Sequence, residues 1–226
     1  MSIELRDYQS AAVYSTLEKW REEHDRLLGI APTGSGKTIV FAYIARQRTA
    51  AGPVLVLAHR DELIDQARDK LVRAVGLSTD KEKADERASL ESQIVVGSVQ
   101  TLSRPDRLAR VPADHFRTII FDEAHRSLAP SYQRILRHFR AAKVLGVTAT
   151  PDRGDQCSLA TYYDDVAFEI GLPDMIRSNW LCPIKVKTVP LAIDISAVAM
   201  RGGDYSDEDI ATALEPMLHE IAVAVS

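Results

Sequence analysis

Hydrophobic positions along this chain fall into short blocks whose period alternates between strand and helix. Leu27-Leu28-Gly29-Ile30, Val54-Leu55-Val56-Leu57-Ala58, Ile94-Val95-Val96-Gly97, Thr118-Ile119-Ile120-Phe121 and Lys143-Val144-Leu145-Gly146-Val147 are near-continuous apolar runs of strand length. Strands covered by helices on both faces need such unbroken runs, because both side-chain sets are buried. Between the runs the apolar spacing turns helical. Ala12/Val13, Thr16/Leu17 and Trp20 share one face of a helix predicted from an N-cap at Asp7 to about His24. Leu63/Ile64, Ala67, Leu71 and Ala74/Val75 form a second stripe behind a cap at Asp61, and residues 39–45 are mostly apolar. The alternation predicts an α/β fold, a doubly wound and mostly parallel sheet.

Elsewhere the pattern is weaker. Residues 79–91 carry mixed charge and are predicted to be a solvated helix or loop. Residues 172–180 have the spacing of a short helix, and residues 184–189 alternate like a half-exposed strand. A loop with Gly202-Gly203 and an acidic stretch from Asp204 to Asp209 follows, then an apolar segment from Ile210 onward. No internal repeat is visible. These features divide the chain into one domain over residues 1–190 and a linker with a helix over residues 191–226.

Composition narrows the class. With 46% hydrophobic and 27% charged residues the chain is ordinary for a soluble protein, and no apolar run approaches membrane-spanning length. Met1-Ser2-Ile3-Glu4-Leu5-Arg6 has neither a signal nor a transit pattern, so a cytoplasmic protein is expected. Cys157 and Cys182 lack the close Cys or His companions of a zinc site and are expected to be reduced thiols. A net charge of −4 excludes a uniformly basic surface but leaves a local basic cleft open.

Two stretches carry chemistry. Ala31-Pro32-Thr33-Gly34-Ser35-Gly36-Lys37-Thr38 lies between a predicted strand and a predicted helix. A glycine-bearing loop in that place can point backbone N–H groups at an oligophosphate, with the helix N-terminus adding positive potential. Lys37 would then reach the β- and γ-phosphates and the Thr38 hydroxyl would hold Mg²⁺. The general pattern begins with Gly where this chain has Ala31; the alternative is a glycine-rich turn with an incidental lysine. The second stretch, Asp122-Glu123, ends an apolar strand, where adjacent carboxylates are costly unless a cation needs them. Asp122 fits the metal side and Glu123 the water that attacks the γ-phosphate, against the alternative of an acidic helix cap. Gln9 has the donor and acceptor to read an adenine edge, or is a solvated first-turn glutamine. His59-Arg60 follows a strand at the end where α/β folds place ligands.

Taken together, these residues resemble superfamily 2 helicases and translocases, in particular DEAH-box motors of the XPB-like and restriction-enzyme-like branch. The resemblance covers about residues 3–190 and rests on an ordered series. Leu5-Arg6-Asp7-Tyr8-Gln9 resembles the Q motif, residues 31–38 motif I, residues 57–66 motif Ia and residues 98–102 motif Ib. Asp122-Glu123-Ala124-His125 resembles motif II, and Thr148-Ala149-Thr150-Pro151 with Arg153 resembles motif III. The resemblance implies a single RecA-like P-loop NTPase domain that uses ATP and Mg²⁺. It implies that Arg6 and Gln9 contact adenine, that Thr33, Gly34, Ser35, Gly36, Lys37 and Thr38 hold phosphates, and that Thr38 and Asp122 hold the metal. Lys37, Asp122, Glu123 and His125 would serve hydrolysis, with His125, Thr148 and Thr150 coupling nucleotide state to grip. His59, Arg60, Gln100 and Thr101 would touch a nucleic-acid backbone, DNA more than RNA. An RNA-directed helicase domain, or a regulatory module that binds ATP without turnover, are the alternatives. Motors of this family have a second RecA-like domain bearing an arginine finger, so this chain by itself is expected to turn over slowly.

Overall fold

The computed structural model describes residues 4–58, 72, 79–82, 86–149, 159, 162–185, 200–201 and 204–205. The chain divides into two compact units, residues 1–181 and 182–226. The predicted helix over residues 61–75, the end of the predicted strand over residues 184–189, and the apolar segment from Ile210 lie largely or wholly outside the described residues.

In the first unit, helix α1 (Asp7–Arg21) leads to strand β1 (Arg26–Ile30), and helix α2 (Lys37–Arg48) leads to β2 (Val54–Ala58). Then come β3 (Asp80–Glu82), β4 (Ile94–Ser98), short helices α3 (Val99–Leu102) and α4 (Pro105–Leu108), and β5 (Thr118–Asp122). Helix α5 (Pro130–His138), β6 (Lys143–Thr148), β7 (Asp165–Glu169) and α6 (Leu172–Arg177) complete it. The seven strands form one sheet in the order β3-β4-β2-β5-β6-β1-β7, every pair parallel. The α/β expectation holds, and the sheet has two edge strands that the sequence did not announce.

The continuous apolar runs split between two cores by alternation. Val54, Val56 and Ala58 face the layer that contains Trp20, Val40, Phe41 and Ile44 of α1 and α2. Leu55 and Leu57 face the opposite layer with Phe116, Tyr132, Ile135 and Phe139. Ile120 and Leu145 join the first layer, Ile119, Phe121 and Val144 the second. Each fully buried large side chain contributes about 1.5–3 kcal/mol, so a polar residue on either face would be costly.

Three expectations need correction. Helix α1 is capped by Arg6, not Asp7, and ends at Arg21 rather than His24. Gln9 turns its side chain back so that Oε1 accepts the Arg6 N–H at 3.0 Å, which moves Asp7 into the first turn, where its charge suits the helix dipole. The charged tract at residues 79–91 is not all solvated. It contributes edge strand β3, whose Glu82 is buried and paired with buried Arg107 at 2.7 Å, while Glu82 also accepts the Ala88 N–H at 2.9 Å. Helix α6 stops three residues before Trp180 because Asn179 adopts the left-handed region at φ 58°, and the N–H groups of Trp180 and Leu181 both donate to the Met175 carbonyl.

Candidate nucleotide site

Because every strand runs the same way, the C-terminal ends of β1, β5 and β6 meet along one edge of the sheet. Register makes the juxtaposition specific: Ile30 lies beside Thr148, and Asp122 beside Val147. The Ala31 N–H donates to the Thr148 carbonyl at 3.0 Å, so the first residue of the phosphate loop is fixed to the last residue of β6.

The loop is pinned from within and from α1. Ser35 is buried; its N–H and hydroxyl both donate to the Pro32 carbonyl, at 3.2 and 2.8 Å. The Ser35 carbonyl in turn accepts from the Tyr8 hydroxyl at 2.9 Å and from Gln9 Nε2 at 3.2 Å. Gln9 is therefore buried, at 4% exposure, and is no solvated first-turn residue. Gly34 and Gly36 sit at φ 86° and 81°, where a side chain is strained, and a Cβ on Gly36 would come within 2.6 Å of Gln9 Nε2. Helix α2 starts with no side-chain cap bond, no acidic residue in its first turn and a lysine at its first position. That arrangement leaves positive potential uncompensated where a dipole would favour a carboxylate, so the loop and helix end fit an anion.

Across from it stand the carboxylates. Lys37 Nζ lies 4.0 Å from Asp122 Oδ1, with the lysine side chain mostly buried. Burial raises the Asp122 carboxyl above its ordinary value; the Lys37 charge and the Glu123 N–H, which donates to Oδ1 at 3.0 Å, pull the other way. Glu123 is exposed and holds φ 62°, ψ 56°, a left-handed conformation rare for a residue with a Cβ. No acid-capped helix follows; the next element is a single 3-10 turn over Ala124–Arg126. His125 Nδ1 is buried 3.3 Å from Glu123 Oε2, without hydrogen-bond geometry to any described group. Beneath them the fully buried Tyr132 hydroxyl is pushed up to about 12 by burial and stays neutral.

The donor set fits a hard divalent cation. Asp122 and Thr38 offer oxygens only, and among the described residues no cluster of three or more His, Cys, Asp or Glu could form an all-protein cage. A hard divalent cation held by so few protein oxygens completes its shell with phosphates and water.

Of the other sequence candidates, Gln100 is exposed at the start of α3, on the same edge, and Thr101 beside it is buried. Thr148 is buried under the loop. His59, Arg60 and Thr150 lie outside the described residues, as does Cys157; Cys182 is exposed and free. Among the described residues no helix is long and apolar enough to cross a membrane. The sequence reading missed Trp180 and Leu181, which come to the loop from far along the chain. The Arg6 guanidinium carbon is 4.3 Å from the Trp180 ring centroid, and a Cβ on Gly34 would lie 2.9 Å from Leu181 Cδ2. No local pattern in that weak stretch of sequence marks them.

Residues 2–153 match the family described as type III restriction enzyme, res subunit. The putative ATP-dependent helicase IRC3 of Saccharomyces cerevisiae is 34% identical over 217 residues, covering 89% of this chain and 31% of its own length. The DNA 3'-5' translocase XPB2 of Sulfurisphaera tokodaii is 30% identical over 153 residues, covering 68% of this chain and 32% of its own. A nuclease-deletion mutant of the type ISP restriction-modification enzyme LlaGI, solved in complex with a DNA substrate mimic, shares the fold at a TM-score of 0.63 and 22% identity, covering 79% of this chain and 21% of that one. This chain spans about a third of the length of the first curated relatives it matches. The phosphate loop, the paired carboxylates and the match over most of the first unit make the chain a RecA-like domain of superfamily 2 and a member of the type III restriction enzyme res-subunit family.

Proposed function

We propose that this chain is the ATP-binding and ATP-hydrolysing motor domain of a DNA-directed helicase or translocase. The observation that carries the reading is Lys37 held 4.0 Å from Asp122 across the edge of the sheet, with Glu123 next to it. In this reading Lys37 and the loop N–H groups of residues 33–38 hold the β- and γ-phosphates. Asp122 and Thr38 hold Mg²⁺, which neutralises charge on the phosphate oxygens when bound. Glu123 takes a proton from the attacking water at its carboxylate, with His125 Nδ1 3.3 Å from Oε2. Arg6 and Gln9 face the adenine. Thr148, whose carbonyl already holds the loop, couples with His125 and Thr150 to nucleic-acid grip.

The substrate is proposed to be DNA. Support comes from the relative named a DNA 3'-5' translocase and from the similar fold solved with a DNA substrate mimic. His59, Arg60, Gln100 and Thr101 would contact the strand's backbone and give grip without sequence readout. The spelling Asp122-Glu123-Ala124-His125 supports assignment to the DEAH-box group. Residues 1–190 are proposed as the first RecA-like domain and residues 191–226 as the lead toward a second, which would supply the arginine that stabilises the transferred phosphoryl group.

The test is the ATPase rate of the full-length protein with single-stranded DNA, duplex DNA and RNA. Stimulation by DNA well above that by RNA is expected. Equal stimulation by RNA would defeat the choice of substrate, and no ATP turnover with any of them would defeat the reading.

A further inference from the structure

Beside the phosphate loop, Arg6, Tyr8 and Trp180 form a cluster built from the two ends of the first unit. The Arg6 guanidinium stacks over the Trp180 ring with its carbon 4.3 Å from the centroid. Arg6 Nη1 donates to the Tyr8 hydroxyl at 3.0 Å, and that hydroxyl donates to the Ser35 carbonyl of the loop at 2.9 Å. The Tyr8 and Trp180 rings meet edge to face, 5.9 Å apart at 61°. Trp180 is delivered by a defined turn: Asn179 is left-handed, and Trp180 and Leu181 share the Met175 carbonyl. Leu181 then lies over Gly34.

The cluster is ordered yet open. Trp180 is 46% exposed, a large apolar area to leave in water, and Arg6 is exposed as well. A guanidinium is a flat cation that stacks on aromatic faces. Arg6 lies over Trp180 and is itself exposed, so its guanidinium can take a second flat π system. The loop it adjoins through Tyr8 and Ser35 is the one suited to oligophosphate, and a nucleotide carries both parts.

We infer that Trp180 is a positioning residue for the nucleobase: it holds the Arg6 guanidinium flat, so that the outer face of Arg6 stacks on a purine whose phosphates the loop binds. The inference rests on the nucleotide reading of the loop and adds a residue outside every motif. Trp180 touches Arg6, and Arg6 touches the base. The contribution is therefore to base affinity and not to phosphate affinity.

The experiment separates those two affinities in the full chain. Kd is measured for Mg·ATP and for Mg·tripolyphosphate, the inorganic anion without a base. Trp180→Ala is expected to weaken ATP about two- to fivefold, a loss in the range of one exposed cation–π contact, with tripolyphosphate binding unchanged and Trp180→Phe restoring most of the loss. The chain has two tryptophans, the other being buried Trp20, so Trp20→Phe leaves Trp180 as the reporter. In that background ATP is expected to change Trp180 emission saturably while tripolyphosphate does not. Unchanged ATP affinity in Trp180→Ala overturns the inference, and equal weakening of both ligands overturns it too, since Trp180 would then only prop the loop. If the wild type binds neither ligand, the nucleotide reading falls and takes this inference with it.

Discussion

Lys37 Nζ stands 4.0 Å from Asp122 Oδ1, joining the loop after β1 to the end of β5 at the edge of the sheet. At that distance the pair is an ion pair without a hydrogen bond, so Lys37 can turn to a phosphate with little loss. Its neighbour Glu123 is exposed and makes no bond to the loop. Lys37 and Glu123 are thus expected to fail differently. Glu123→Gln keeps the size and one acceptor oxygen but takes no proton, so turnover should fall by about 10²–10⁴ with nucleotide still bound. Lys37→Ala removes a charge-assisted phosphate contact and should weaken binding itself. Affinity and single-turnover hydrolysis measured side by side decide it. Near wild-type hydrolysis by Glu123→Gln would mean that another group activates the water.

Asp122 gives a pH signature in the ligand-free protein. Its folded carboxyl value is raised, chiefly by burial. As pH rises through the window between the unfolded and folded values, the unfolded chain loses the proton first and unfolding is favoured. Below the unfolded value both states keep the proton and the penalty is absent; above the folded value it is present in full. Asp122→Asn should therefore raise the melting temperature at pH 7, and the gain should vanish as pH falls below about 4. A melting temperature at pH 7 equal to or lower than wild type would mean that the Lys37 attraction outweighs desolvation.

The sheet was legible because both faces of each central strand are buried, and a two-sided strand has to be apolar throughout: Val54 to Ala58 feed two cores at once. The loop and carboxylates were legible because their chemistry is carried by contiguous residues. Edge strands β3 and β7 were not, since an edge tolerates charge and Asp80-Lys81-Glu82 reads as surface. The burial of Gln9 was not legible for a related reason. Its burial depends on the Ser35 carbonyl, which is far away in sequence, and no local period encodes that partner. Trp180 was invisible for the same cause, its role lying wholly in tertiary contacts with Arg6 and Tyr8.

The buried pair Glu82–Arg107 fastens edge strand β3 to α4, away from the site. Arg107→Met strands a buried carboxylate and should cost about 3–5 kcal/mol. Replacing Glu82 by Leu in the same chain removes the stranded charge and should recover much of that loss. Denaturant unfolding of the single and double variants tests this. A double variant no more stable than Arg107→Met would show that the arginine acts through packing and not through the charge.

Gln9 and Gly36 are coupled by contact, and their substitutions should not add. Gln9→Ala removes the bonds to the Arg6 N–H and the Ser35 carbonyl and should cost about 1–3 kcal/mol of stability. Gln9→Glu is no remedy, because a carboxylate oxygen would then face the Ser35 carbonyl where Nε2 now donates. Gly36→Ala costs about 1–2 kcal/mol for the left-handed backbone and further drives a Cβ to 2.6 Å from Gln9 Nε2. In a Gln9→Ala background that collision is gone, so Gly36→Ala should cost less there than in the wild type, and a double-mutant cycle reads the difference directly. Nucleotide affinity adds the second axis. If Gln9 also reads the base, Gln9→Ala should raise the KM for ATP beyond its effect on GTP, whereas a pure tether would weaken both alike through the loop. Strict additivity of the two substitutions in stability would mean that the amide moves aside freely, and that Gln9 does not hold the loop in the shape that receives the phosphates.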